Sequence, residues 1–398
     1  MAINDITRNL GPSTSQSHTS EAIGHAEDMS DVIVNISPED TKFLSRLPHE
    51  DSPTLEFSWM EDRLNPPKVN AHLEKEEYTA GPAGSLEGRT NNNQYFANAL
   101  YVTEAQRKVA KIYRDKDELT RLVAQKSKEH AMDIEYALIN NTTTNKESGS
   151  TPAMTGGIPF FLKEETIAVT VPTSGGVITA TADHHLLTGD FVYFTGKTMP
   201  TGLKEKTLYY VRLDDTTPKT KFTIFNTQKG AVENVAADKV EPTTAGTSVA
   251  IVKNNVVDLA GAADFTLDDL NSVMEMCYNR GGNPTQLFIS PSKKRKFSQL
   301  VVASTTINRD MTKGRKLELV ADTIMTDYGT LTAESHRMMP DTMAFVLDLG
   351  QFSTKWFQRT RLFDLVKTGT YDSKRMESWL GLKCAAPRAC GAIFNIKR

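Results

Sequence analysis

Residues 51–100 set the first constraint on this chain, because they cannot build a core of their own. One short run, Leu55-Glu-Phe-Ser-Trp59, alternates apolar and polar side chains as a half-buried strand does. Beyond it Asn65-Pro66-Pro67, then Gly81-Pro82-Ala83-Gly84 and Gly88, punctuate an acidic, extended excursion. A stretch of that length and polarity is either disordered or functional, and a partner orders it most easily. Residues 1–50 read as an arm. Ser, Thr, Gly and Pro dominate the first positions, and Ser37 as N-cap with Pro38 behind it and Asp40 three residues on marks a helix start.

The pattern then changes. From Thr103 to Leu138 apolar residues recur at i, i+3 and i+4 (Val109, Ile112, Tyr113, Leu119, Leu122, Val123, Ile134, Leu138) with no Gly or Pro, predicting one helix of roughly 54 Å. Sustained heptads are lacking, so a helix lying across a sheet is expected rather than a coiled coil. Residues 165–255 lose helical periodicity. Phe191-Val-Tyr-Phe194, Leu208-Tyr-Tyr-Val211 and Phe222-Thr-Ile-Phe225 are β runs separated by turns at Gly175-Gly176, Gly189-Asp190, Pro200-Thr-Gly202 and Asp214-Asp215, the spacing of a small sandwich or barrel. Mixed α/β pattern follows: helices from Leu267 to Tyr278 and around 291–302, a strand at Leu287–Ile289, and strands near 317–326, 343–348, 355–366 and 376–396.

A chain of 398 residues suggests two or three domains, and 39% hydrophobic residues suffice for a real core. No run approaches the apolar length of a transmembrane helix, and the first twenty residues lack the apolar centre of a secretory signal. Three cysteines, Cys277, Cys384 and Cys390, are too few for a disulfide framework and fit a reducing cytosol. Charge is uneven: residues 1–100 carry 7 basic and 16 acidic side chains, and the remainder 39 and 33. Segment 293–316 is strongly basic, with Lys293, Lys294, Arg295, Lys296, Arg309, Lys313, Arg315 and Lys316 against Asp310. Either these are solvated faces, or the acidic front lies against basic surfaces of neighbouring copies, where complementary charge fixes register. A free-standing nucleic-acid binder is normally basic throughout.

No catalytic motif survives inspection. Gly196-Lys197-Thr198 resembles the end of a phosphate loop, but the earlier glycine is replaced by Phe191 and the segment reads as strand. Ser290-Pro-Ser-Lys293 with Lys367-Thr-Gly369 echoes a serine β-lactamase, without the Ser-Asp-Asn between them. Cys384 and Cys390 lack a second cysteine pair, and His184-His185 point to opposite faces of a strand, so no metal site and no cofactor is expected. Lys293-Lys-Arg-Lys296 has two open readings, a non-specific phosphate contact or the exposed start of a helix. The absence of an active site favours a structural protein.

From Leu287 onward the chain resembles a tailed-bacteriophage major capsid (major head) protein. The resemblance rests on LFISPSKKRKFSQL (287–300), Thr326-Asp-Tyr-Gly-Thr-Leu331, His336-Arg-Met-Met-Pro340, Val346-Leu-Asp348 and Leu365-Val-Lys-Thr-Gly-Thr-Tyr-Asp372. Upstream, the order arm, extended loop, long helix, mixed α/β is similar to the Hong-Kong-97 capsid fold. The run HHLLTGDFVYFTG is similar to small β modules of phage virion proteins.

That resemblance implies an α+β fold with an inserted small all-β domain: N-terminal arm 1–50, extension loop 51–100, spine helix and start of the peripheral and axial domains 101–164, inserted β-rich domain 165–256, axial domain 257–350, and return strands of the peripheral domain 351–398. It implies self-assembly into hexamers and pentamers of an icosahedral shell. Portal, scaffolding and optional decoration proteins are further expected partners, with packaged double-stranded DNA touched non-specifically. The setting implied is the virion, assembled in the host bacterial cytoplasm. Trp59, Arg63, Lys75 and Arg89 are expected at intersubunit contacts. Two other classes remain to be distinguished: a tail or decoration protein built around the β module, and a hydrolase using Ser290 and Lys293.

Overall fold

The computed structural model describes residues 41–62, 64, 67, 71, 74, 86–113, 118–163, 166–205, 207–304, 323–367 and 369–397. Phe43 and Leu47 are buried at the front of this region, with a single 3₁₀ turn, Leu44–Arg46, between them. The helix start at Ser37 lies outside the described residues. β1 (His49–Asp51) runs parallel to Thr354–Trp356. β2 (Glu56–Glu61) and β3 (Glu87–Asn92) pair antiparallel from Glu56↔Asn92 to Glu61↔Glu87, forming the root of a long hairpin. β4 (Gln94–Thr103) leads directly into α1 (Glu104–Tyr113), and α2 (Glu118–Asn140) and the short α3 (Ile158–Leu162) follow.

Of the helix predicted over 103–138, α1 and α2 are described, with 114–117 outside the described residues. His130, Ile134 and Leu138, one turn apart, bury a stripe of α2 against the core, whereas no residue from 119 to 129 is fully buried.

Next come β5 (Thr166–Thr170), β6 (Ile178–Ala180), β7 (Phe191–Thr195), β8 (Tyr209–Leu213), β9 (Lys221–Phe225), α4 (Gln228–Glu233), β10 (Lys239–Val240) and β11 (Ala250–Val252). The strands form one antiparallel sheet in the order β10-β9-β6-β5-β11-β7-β8, and β8 also pairs with β9. Six strands thus close into a ring, which removes exposed edges. The interior holds Ile178, Val192, Phe194, Val211, Phe222 and Ile224. The segment is not all strand, since α4 lies within it, N-capped by the Thr227 hydroxyl on the Gly230 N–H. Gly189 and Gly202, singled out as turns, hold φ of 94° and 96°, which L side chains rarely adopt.

The remainder contains β12 (Asn255–Asp258), α5 (Leu267–Asn279), β13 (Gln286–Ile289), α6 (Pro291–Ser304), β14 (Thr323–Thr326), β15 (Gly329–Ser335), β16 (Ala344–Leu347), β17 (Phe352–Asp364), β18 (Tyr371–Cys384) and β19 (Gly391–Phe394). A mixed six-stranded sheet runs β12-β19-β16-β13-β15-β14, and a four-stranded sheet runs β1-β17-β18-β4. The strand expected over 376–396 is split: β18 and β19 belong to different sheets, and the turn Pro387–Ala389 separates them because Pro cannot donate to a ladder. Of the strand expected over 317–326, residues 317–322 lie outside the described ones. α5 starts on a capping box between Thr266 and Asp269 and buries Leu270, Val273, Met274 and Cys277 on the six-stranded sheet. One hydrophobic core joins Phe43, α2, Phe345, Phe352 and Leu380, and a second joins α5, Leu287, Phe297 and Val346.

β7 belongs to two cores at once. Val192 and Phe194 face the ring interior, while Phe191 and Tyr193 enter the core around α5. Alternation along a strand makes this possible, and it welds the ring of strands to the body.

Candidate intersubunit surface at the extended hairpin

The described site residues begin with the inward face of β2. Phe57 and Trp59 stack at 5.9 Å between ring centroids, and Trp59 lies against Phe161 of α3 at the same distance. Gly381 of β18 lets the hairpin lie this close: a Cβ there would fall 2.7 Å from the Phe57 ring and 2.8 Å from the Asn92 carbonyl oxygen.

Asn91 fixes the angle of the root. Its buried amide Nδ2 donates to the carbonyls of Leu382 (2.6 Å) and Gly156 (3.1 Å) and to Thr155 Oγ1 (3.2 Å). Its Oδ1 accepts from the Gly156 and Asn92 N–H groups and from the Thr144 hydroxyl, each at 2.9 Å. A buried amide with every site engaged specifies one geometry, so the loop following α2 and the hairpin are locked together.

An ionic cluster sits at the far end of the root. Arg89 pairs with Glu61 (2.8 Å) and Glu87 (3.6 Å). Glu87 also receives Arg388 (2.9 Å) from the turn before β19 and faces Lys253 (3.9 Å) from the segment after β11. Hairpin, ring and C-terminal turn therefore meet on one carboxylate. Beside them a cavity of about 700 Å³ opens between Leu64, Asp190, Arg280 and Arg388. The Arg280 guanidinium stacks 4.5 Å above the Phe191 ring, and burial pulls its pKa down to about 10.

Trp59 and Arg89, expected at contacts between subunits, touch Phe161 and Glu61 respectively at the root of the hairpin. Arg63 and Lys75 lie outside the described residues. Past the root the surface turns outward. Met60 is 68% exposed, Leu64 95% and Leu86 57%. These three large apolar side chains are exposed near the end of the root, as surface that a partner would cover. The anchors Asn91, Glu87, Arg388 and Gly381 escaped the sequence reading. Only Asn91-Asn-Asn93, a polar triplet between strand-forming runs, carried a local signal.

The catalytic and metal candidates resolve into structure. Lys293 Nζ is held by Asp264 (2.6 Å) and the Lys397 carbonyl, and Ser290 Oγ by Ser292 (3.0 Å), so the pair makes no nucleophile–base contact. Lys294 donates to the Ala333 carbonyl, leaving Arg295 as the exposed member of the basic run. Arg309, Lys313, Arg315 and Lys316 lie outside the described residues. Gly196 directly follows β7 and lies close to the Val249 backbone, with no helix after it. The three cysteines are buried, and burial raises their thiol pKa values, that of Cys277 to about 12, so they stay protonated and inert. His184 is buried against Phe222 while His185 is more exposed and sits near Asp183. Among the described residues no three His, Cys, Asp or Glu side chains are grouped as a metal site, and no helix is long and apolar enough to cross a membrane.

Comparison with known proteins completes the picture. No curated protein matches the chain. Among solved structures, the capsid asymmetric unit of cyanophage A-1(L) is similar at a TM-score of 0.59 and 10% identity, over 94% of this chain and 98% of that one. A chain of Mycobacterium phage Bobi gives 0.49 and 12%, over 94% and 96%. The capsid of the native GTA particle gives 0.47 and 11%, over the full length of both. The cyanophage likeness shows a shared mixed α/β capsid fold. The sequence model for the SU10 major capsid protein matches residues 11–217 and 218–397. That match removes the tail, decoration and hydrolase readings, and the chain belongs to the SU10 major capsid protein family, as a shell-forming structural component of the virion and not an enzyme.

Proposed function

We propose that this chain tiles an icosahedral head around double-stranded DNA as a Hong-Kong-97-type subunit. Residues 1–50 are the arm, 51–100 the extension loop, 101–164 the spine and the start of the peripheral and axial domains, 165–256 an inserted β domain, 257–350 the axial domain, and 351–398 the peripheral return strands. One observation carries this reading. The hairpin is welded at its root by Asn91, Trp59 and Glu87, yet Met60, Leu64 and Leu86 at its mouth turn apolar surface away from their own body. A rigid stem with an apolar, acidic outreach suits a neighbouring copy.

On this reading Trp59, Arg63, Lys75 and Arg89 lie at contacts with the neighbour, Trp59 and Arg89 also bracing the root of the loop. Portal and scaffolding proteins meet the assembled shell, a decoration protein is an optional partner, and packaged DNA is touched non-specifically. The inserted domain faces outward as a stabilising or host-contacting knob. Electron microscopy of the expressed protein tests the assembly. Replacing 64–84 with a short linker should leave folded subunits that form no shells, and Arg63→Glu or Lys75→Glu should impair assembly in the same sense. Normal shells from the shortened protein would overturn the reading.

A further inference from the structure

Arg280 is placed by rigid turns. It closes α5 as the C-cap, donating its backbone N–H to the Cys277 and Tyr278 carbonyls, and Gly281 after it holds φ of 78°. Gly282 then lies so close to the turn before β19 that a Cβ there would fall 2.4 Å from the Ala389 carbonyl oxygen. From this fixed point the side chain reaches the ring of strands, where Phe191 supports the face of the guanidinium. Stacking occupies a face and leaves the N–H edge open. Among the described residues that edge meets no hydrogen-bond acceptor and no ion-pair partner. With a pKa of about 10 the group keeps its charge at neutral pH.

Arg280 lines the cavity of about 700 Å³ beside the hairpin root, a volume in the range of small-molecule sites. The other cations on its wall, Arg388 and Lys253, face Glu87 at 2.9 and 3.9 Å. Asp190 stands on the same wall in a fixed place. Its Oδ2 accepts the Leu187 N–H at 2.9 Å, and backbone bonds of 2.7 Å join Gly189 and Asp190 to Val211. Glu61 and Asp62 line the cavity too. A phosphate brings more negative charge than a carboxylate, and here it would sit among three carboxylates at close quarters. A single carboxylate matches the planar fork at the lower electrostatic cost.

We propose that this cavity is a carboxylate-binding site, in which the Arg280 guanidinium takes one carboxylate group from outside the chain. Phe191 sets the plane of the fork, and Asp190 disfavours a second negative charge. A small organic acid and an acidic side chain of a neighbouring copy present the same group, so both are sources of it.

Calorimetric titration of the full-length, unassembled chain with benzoate, benzamide and inorganic phosphate at constant ionic strength tests this. Benzoate should bind about tenfold or more tightly than benzamide, which has the same shape without the charge, and more tightly than phosphate. It should also slow hydrogen exchange in peptides covering 186–191 and 278–282. Arg280→Lys keeps the charge but loses the fork and should weaken benzoate about tenfold, and Arg280→Met should abolish binding. Equal affinity for benzoate and benzamide, tighter phosphate binding, or unchanged affinity in Arg280→Lys overturns the site. If Arg280→Met does not fold, Arg280→Lys decides. Repeating the titration on assembled shells separates the sources. Benzoate binding lost on assembly supports a carboxylate supplied by the neighbouring copy, and binding retained supports a small organic acid.

Discussion

The ring of strands between 166 and 252 and the hairpin rooted at 56–61 and 87–92 solve opposite problems with the same β backbone. The ring closes on itself, and Phe222, Ile224 and Val211 are wholly buried within a core that the segment itself supplies. The hairpin has two strands and one inward aromatic pair, and two strands alone are marginal in water. It borrows its stability from Phe161, Gly381, Leu382 and Arg388. The difference teaches that position in a capsid tile follows from where the core comes from. A segment with its own core closes locally, whereas one without must be held at its root by distant parts of the chain.

The strongest way to break this contrast is to empty the ring. Phe222→Ala removes a fully buried aromatic ring and should cost about 4 kcal/mol. Calorimetry should then show the ring melting ahead of the rest of the chain. A single transition at lowered temperature would mean that the weld through Phe191 and Tyr193 makes ring and body one cooperative unit. A somewhat smaller effect tests the hairpin. Glu87→Gln removes the charge on which Arg89, Lys253 and Arg388 converge and should cost about 3 kcal/mol. Proteolysis should become faster at the hairpin root and remain unchanged within the ring. Equal loss of protection in both would show that the root is not locally held.

The same contrast explains what could be read in advance. Local signals sufficed for the ring, because β-branched and aromatic runs and positive-φ glycines are encoded within a few residues: Phe191–Phe194, Leu208–Val211 and Phe222–Phe225 all lie where expected, and Gly189 and Gly202 turn the chain. The helix expected from Leu267 to Tyr278 was equally legible from its apolar spacing, and it spans Leu267–Asn279. The hairpin root was not, since its anchors are far apart in sequence: Glu87 meets Arg388 across 301 residues and Asn91 meets Leu382 across 291. Trp59 and Arg89 were expected at contacts between subunits, but their places beside Phe161 and Glu61 carried no local signal. Lys293 shows the reverse error of reading, a lysine in a basic run that is spent on Asp264 and the Lys397 carbonyl.

The smallest expected effect separates ring from hairpin by acid. His184 is buried in the ring, its Nδ1 accepts the Leu186 N–H, and its Nε2 finds no hydrogen-bond partner among the described residues. Burial, only partly opposed by nearby Asp183, pulls its pKa from 6.5 to about 4. An unfolded chain binds the proton near the ordinary value while the folded ring refuses it. Between those values the unfolded state carries more protons, so stability is full above pH 6.5 and drains as pH falls towards 4. The loss should reach about 2 kcal/mol by about pH 5. It should appear in the ring's transition and not in protection of the hairpin root, whose ion pairs involve no histidine. His184→Phe should flatten that slope, at some cost near neutrality because Leu186 loses its acceptor. A ring that keeps the same acid slope without His184 would place the titrating group elsewhere and remove acid sensitivity as a mark of its self-contained core.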